Sequence, residues 1–384
     1  MTVIEHEICT ECVMDEDDPE ITFDAEGVCN YCVQFKDDPE SFGKRSDGLS
    51  YWTELIAEFR REGTLSGRKY DCLIGISGGV DSSFLCKVVQ ASGLKPIVIH
   101  VDNGFDSELS VKNMETVISH TGFDFYVIKP DFEAFRSLVL AYLRASVLDT
   151  DVPADYLIEA YQYRTSLRYG LRTILTGWNY HSEAFMPSAW TYRNKVDHRN
   201  LRNIHNRFGE GVSLKSLPKW GAVETIWYRK TKQLRKHSPL NYVGYTKNGA
   251  IEWLKKNWGW KEYRDKHGEN IFSRFYQRFI LYEKFGIDKR KMHYSNLVRS
   301  GGMTREEAFE EMRKPPYDPE VYVKDREYVL SKLRISSEYF DHLMSLPPRR
   351  HDEYGTDQWI YNLARKVVGV KRLGIKVLSK VGLR

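Results

Sequence analysis

No stretch of the 384 residues approaches the apolar length needed to span a membrane. The opening residues, MTVIEHEICTEC, lack the basic, apolar and small-residue regions of a secretory signal. Together these absences set the expectation of a soluble, cytoplasmic chain. No internal repeat is visible. Acidic residues are missing after Asp357, where Arg365, Lys366, Lys371, Arg372, Lys376, Lys380 and Arg384 give the tail a charge of +7. Against +4 for the whole chain, the rest carries about −3. The body is therefore no basic nucleic-acid surface, and no nucleic-acid partner is expected. The tail alternates apolar and basic residues. That pattern suits an anionic membrane or an acidic partner, and equally a basic helix docked on its own domain.

Cysteine is scarce as well, with six in the chain. Four of them, Cys9, Cys12, Cys29 and Cys32, form C-x2-C-x16-C-x2-C. Two such knuckles can close a tetrahedron of thiolates around a structural Zn²⁺. Disulfides are disfavoured in a reducing compartment, and iron–sulfur sites usually have other spacings. Cys72 and Cys86 read as small core residues. What the chain does have is an ordinary apolar content of 41%, with 24 Tyr and 9 Trp, enough to bury a core.

Residues 73–83, LIGISGGVDSS, join an apolar strand to a helix through two glycines. Glycines let the backbone come close to a ligand, and the free N–H groups at the helix start attract an anion. Ser77, Gly78, Gly79, Asp81, Ser82 and Ser83 are therefore candidate phosphate ligands. The loop is not a Walker A motif, because no Lys follows the glycines. It resembles the PP-loop of the ATP pyrophosphatase family, which implies that ATP is split to AMP and pyrophosphate.

Around the loop, strands at 71–76, 96–101, 125–128 and 172–176 alternate with helical patterns. That order predicts an α/β fold, a parallel sheet with helices on both faces. Residues 1–48 form a cysteine-bearing, zinc-ribbon-like segment and 49–260 the ATP-binding domain. Residues 261–384 are a mostly helical region ending in the basic tail. The polar insert 187–222 shows little periodicity and is taken as a substrate lid.

Ligands of parallel sheets sit at the carboxyl ends of strands, which brings Asp102 and Gly177 to the ATP pocket. Asp102 suits a ribose or base edge, or a local Asx turn. Asp81 in a phosphate site needs a cation beside it, and Mg²⁺ fits. Glu183 resembles the magnesium-holding Glu after the fourth strand of NAD synthetases; it also suits a solvated loop. Lys266 could neutralise the leaving phosphate and His267 could carry a proton from ammonia, or both could sit in a solvated turn. Arg164 and Arg168, one helical turn apart, could clamp a nucleotide-sugar diphosphate or simply face water. Trp227, Tyr228, Arg229, Lys230 and Lys232 form a basic-aromatic strip able to stack a uracil ring.

Further strings widen the resemblance: ICTECVMDEDDPEITFDAEGVCNYC, HVDNGFDSELSVKNME, TGWNYHSE, KHGEN and RFYQRFILYEKFGIDKRKMHYSNLVRSGGMTREEA. Over residues 8 to about 310 the chain resembles the N-acetyl sugar amidotransferases of bacterial surface-polysaccharide (lipopolysaccharide O-antigen) biosynthesis. The resemblance implies conversion of the acetamido group of a UDP-linked sugar to acetamidino, through an adenylated amide. It also implies ammonia delivered by a separate glutaminase and a cyclase-like subunit. A homo-oligomer is compatible with the sequence. The competing expectations are a tRNA-modifying PP-loop enzyme, of thiolase or lysidine-synthetase type, and a non-enzymatic zinc-ribbon adaptor.

Overall fold

The computed structural model describes residues 7–263 and 268–364. Five parallel strands form one sheet: β1 (Cys72–Gly75), β2 (Pro96–Val101), β3 (Asp124–Ile128), β4 (Thr173–Leu175) and β5 (Arg235–His237), in the order β3-β2-β1-β4-β5. The α/β reading holds. The order reverses direction between β1 and β4, so the loops leaving those two strands diverge above a crevice.

Alternation along each strand splits its side chains between two cores. Cys72, Ile74, Val98 and Leu175 point to one face, where Trp52, Leu55 and Phe59 of a helix at Gly48–Ser66 cover them. Leu73, Ile97, Ile99 and Ile174 point to the other. The second core is continuous from the cysteine segment through the sheet to Phe272, Phe275 and Phe340. The three sequence-defined regions therefore share buried surface rather than forming separate cores.

Among the crossover helices, α1 (Val80–Ser92) and α2 (Glu108–Thr121) lie on the first face. Helices α3 (Phe132–Ala145) and α4 (Val152–Arg168) lie on the second. The insert 187–222, expected to be irregular, is not so throughout. It contains a helix, His198–Phe208, whose Asn200, Leu201, Ile204 and His205 are buried. His205 Nε2 lies 3.0 Å from the Ser137 hydroxyl of α3. The basic tail from Arg365 onward lies outside the described residues.

Candidate active site

The glycine turn is built to a narrow tolerance. Gly78 has φ +80°, and a Cβ there would lie 2.5 Å from the Ser110 carbonyl oxygen of α2. The Gly78 carbonyl accepts from Trp260 Nε1 (3.1 Å), the Tyr263 hydroxyl (3.0 Å) and Asn113 Nδ2 (3.5 Å). Ser77 N–H donates to Ser82 Oγ at 3.2 Å, and Gly79 N–H to Ser77 Oγ at 3.3 Å. Gly79 caps α1, whose unpaired N–H groups open onto the turn. The result is a cluster of hydroxyls and amides of the kind that can cradle an anion.

Of the carboxylates predicted for magnesium, Asp81 lies in the first turn of α1 and Glu183 in the short helix after β4. Asp81 Oδ1 accepts from Asn179 Nδ2 at 3.0 Å and from the Tyr245 hydroxyl. Asn179 caps the short helix Tyr180–Glu183 that follows β4. Burial pushes the Tyr245 phenol up, and the charges of Asp81 and Glu183 push it further. Both carboxylates thus act on one phenol, Asp81 by direct contact and Glu183 through its charge, and carboxylate oxygens are the donors that Mg²⁺ takes. Gly177 serves this approach: a Cβ on it would lie 3.1 Å from Ser82 N and the Asp81 carbonyl carbon.

Other sequence-predicted residues fall elsewhere. Ser83 is fully buried inside α1 and its hydroxyl is shut away from the cradle, because one residue past Ser82 the helix has turned toward the core. Asp102 closes an Asx turn by accepting the Gly104 N–H at 2.9 Å, and it lies 3.6 Å from Lys129. Arg164 and Arg168 are exposed. Asp155, Ile158 and Gln162 give the cavity-facing side of α4, and at about 100° per residue both arginines fall on its far side. Trp227 is likewise exposed at its helix surface, while Arg229 donates to the Tyr163 hydroxyl at 3.1 Å. Lys266 and His267 lie outside the described residues. Their neighbours Glu269 and Asn270 do reach the site. Glu269 Oε1 would be 2.9 Å from a Cβ on Gly79, and Asn270 Nδ2 donates to Asn103 Oδ1 at 3.0 Å.

Sequence reasoning missed His100. Its Nδ1 donates to the Ile76 carbonyl at 2.8 Å, and its Nε2 lies 2.6 Å from Asp106 Oδ2. Satisfying both acceptors takes both ring protons, the charged form. Burial opposes that charge, but Asp106 and the carbonyl outweigh it and raise the pKa. A His between apolar neighbours in a strand (VIHVD) was the available signal.

From Ser77 a cavity of about 320 Å³ runs between β2, α4 and the C-terminal helices. Asp149, Asp151 and Asp155 line it, opposed by Lys195 from the insert and Lys289. Tyr276 and Gln277 close it from a π-helical turn at Tyr276–Ile280, a distortion that often marks functional sites.

The four predicted metal ligands converge. Cys9 and Cys32 sulfurs are 3.9 Å apart, Cys12 and Cys29 sulfurs 3.8 Å, and all four lie within 4.8 Å of one another. A tetrahedron with zinc–sulfur bonds of about 2.3 Å has edges of about 3.8 Å, so the set fits Zn²⁺. All six cysteines are free of disulfides. The cluster is tied to the C-terminal helices, with Arg305 donating to the Cys9 carbonyl (2.7 Å) and the Cys12 carbonyl (3.1 Å).

Residues 269–368 match the family described as LPS biosynthesis protein WbpG-like, C-terminal domain. The matched segment begins at the mouth of the glycine loop. An uncharacterized protein of Methanocaldococcus jannaschii is 24% identical over 275 residues, spanning 70% of this chain and 80% of that one. Among solved structures, the NH3-dependent NAD synthetase of Campylobacter jejuni, in complex with nitrate, is 13% identical. It covers 53% of this chain and 82% of its own, with a TM-score of 0.28. The NMN synthetase of Francisella tularensis is 14% identical, over 56% and 87%, also with a TM-score of 0.28. No helix among the described residues is long and apolar enough to cross a membrane.

Proposed function

We propose that this chain is an ATP-dependent amidotransferase of surface-glycan biosynthesis. It converts the acetamido group of a UDP-linked N-acetyl sugar to acetamidino and releases AMP and pyrophosphate. One observation carries the assignment. The segment matched to LPS biosynthesis enters the structure at Glu269 and Asn270, against a lysine-free glycine cradle at the sheet's switch point.

In this scheme the Ser77–Ser82 turn and the first N–H groups of α1 hold the pyrophosphate of ATP. The amide oxygen of the sugar attacks the α-phosphorus and pyrophosphate leaves. An amide oxygen is a poor leaving group, and esterified to AMP it becomes a good one. Ammonia then adds to the activated carbon and AMP departs with that oxygen. Asp81 and Glu183 would hold Mg²⁺, which screens charge on the phosphates. Donors preset toward the phosphates stabilise the charge that develops there. The walls of the cavity keep water from the adenylate.

Ammonia comes from a separate glutaminase with a cyclase-like subunit. The cysteines outside the metal cluster suit no glutaminase nucleophile. Cys72 is buried in β1, and burial pushes the Cys86 thiol up to about 12. The test is mass spectrometry of UDP-acetamido sugars incubated with ATP, Mg²⁺ and ammonium. An O-to-NH exchange on the sugar with AMP and pyrophosphate formed is expected. Release of ADP and orthophosphate refutes the assignment.

A further inference from the structure

Lys195 lines both the cavity and a second, open groove of about 880 Å³. Helix α4 lines both as well. Asp155, which pairs with Lys195 at 3.1 Å, faces the cavity, and Glu159, one turn on, faces the groove. Four helical residues rise about 6 Å, so the two linings lie one sugar ring apart along the helix. A third hollow meets the cavity at Gln277 and Lys289, but there Asp288 holds Arg290 and Glu311 holds Lys314.

The charge of the open groove is unbalanced. Glu159 is paired with Lys236, and Lys195 with Asp149 and Asp155. Arg193 of the insert and Lys230 of the helix Ala222–Thr231 line the groove, and their side chains make no hydrogen bond or ion pair among the described residues. Arg229 gives one N–H to the Tyr163 hydroxyl at 3.1 Å and keeps its others for a ligand. Tyr163 is itself held in a stack with Trp220 and Tyr228, with ring centroids 5.0 and 5.1 Å apart. Three cations, none held by a carboxylate, therefore face one groove from two elements. Guanidinium and ammonium groups so placed suit an anion of more than one charge, and phosphate oxygens above all.

We propose that this groove holds the nucleoside diphosphate of the substrate, with Arg193, Arg229 and Lys230 on its phosphates and the sugar leading past Lys195 into the cavity. The inference deepens the function proposed above and rests on it. Phosphates gripped one sugar ring from the reacting amide orient that amide without touching it. The basic-aromatic run of the sequence is thereby divided. Arg229 and Lys230 line the groove, whereas Trp227 and Lys232 do not, so the ring available to the base is Tyr361.

Two measurements test this. Calorimetric titration of the full chain with UDP, in the absence of ATP, gives saturable binding. Arg193→Gln and Lys230→Gln each weaken it about ten-fold, the scale of one charge-assisted hydrogen bond, and melt like wild type because neither side chain holds the fold. Lys232→Gln removes the same charge from the same run outside the groove and stays within about two-fold of wild type. In turnover assays the two groove variants raise the KM for the UDP-sugar by about ten-fold and leave the KM for ATP within about two-fold. No UDP binding by the wild type, an equal loss in Lys232→Gln, or a UDP-sugar KM unmoved by both groove variants overturns the groove assignment and leaves the amidation standing. A matching rise in the ATP KM overturns it too, by giving the groove to ATP. UDP binding that depends on Arg193 and Lys230, with no amidine formed from any UDP-acetamido sugar, supports the groove and sinks the amidation instead.

Discussion

Replacing Gly78 with alanine probes whether the cradle is held rigidly against α2. Alanine at φ +80° costs roughly 1–2 kcal/mol for the left-handed backbone. The new Cβ would lie 2.5 Å from the Ser110 oxygen and 3.1 Å from its Cα, backbone atoms that cannot swing aside. Relieving that overlap costs about 1–3 kcal/mol more, as overpacking usually does. Gly67 supplies the control, since it has φ +61° and nothing within 4 Å of an added Cβ. Alanine there bears only the backbone cost. At about 2 °C per kcal/mol for a chain this large, Gly67→Ala melts about 2–4 °C low and Gly78→Ala about 4–10 °C low. A shift of the loop by about 1 Å also lowers AMP formation by about 100-fold in the Gly78 variant. The assays are thermal melts and steady-state AMP release on both variants. Gly78→Ala melting together with Gly67→Ala and turning over like wild type refutes the argument.

Asp81→Asn keeps the shape that Tyr245 and Asn179 hold but removes the charge, so AMP formation falls about 10²–10³-fold. A magnesium titration checks it, and an unaltered curve removes Asp81 from the metal. Cys29→Ser loses zinc by elemental analysis and melts lower, since structural zinc binding of about 10–16 kcal/mol is folding free energy. A variant with full zinc and an unchanged melt rejects the four-sulfur assignment. The His100–Asp106 pair stabilises the protonated histidine, so its contribution is complete below the unfolded value of about 6.5 and is lost as pH rises through the raised folded value. Melts across that range therefore decline for wild type and stay flatter for His100→Gln. Parallel curves show that another group sets the slope.

Where pattern and packing agree, the fold was legible. β1 and β2 are apolar runs that end in glycine or aspartate, and they form as read. β5 is three polar residues, Arg235–His237, on the sheet edge, with no alternation to reveal it. The helix at His198–Phe208 has Leu201, Ile204 and Phe208 at helical spacing, but they are its only apolar residues and Asn200 and His205 are buried beside them, so the pattern is easily read as a polar insert. The spacing of Arg164 and Arg168 showed that they share a face but not which way it points. Asp149, Asp151 and Asp155 look like any acids near a helix start, and only the fold shows that they line one cavity.

The cysteine cluster joins parts of the chain made far apart in time. Val13 N–H donates to the Ser295 hydroxyl at 3.2 Å across 282 residues, and Lys291 pairs with Asp15 and Asp17. The same helix, Lys289–Arg299, carries Lys289 into the cavity and Asn296 to the Ser182 carbonyl beside Glu183. On the ribosome the first-made thiolates emerge long before their cover exists, so they meet the cell's oxidants and competing metals uncovered. A chain that captures the wrong ion at that moment seats the late helix badly. It then reaches full length with a catalytic pocket misaligned by an event at the opposite terminus.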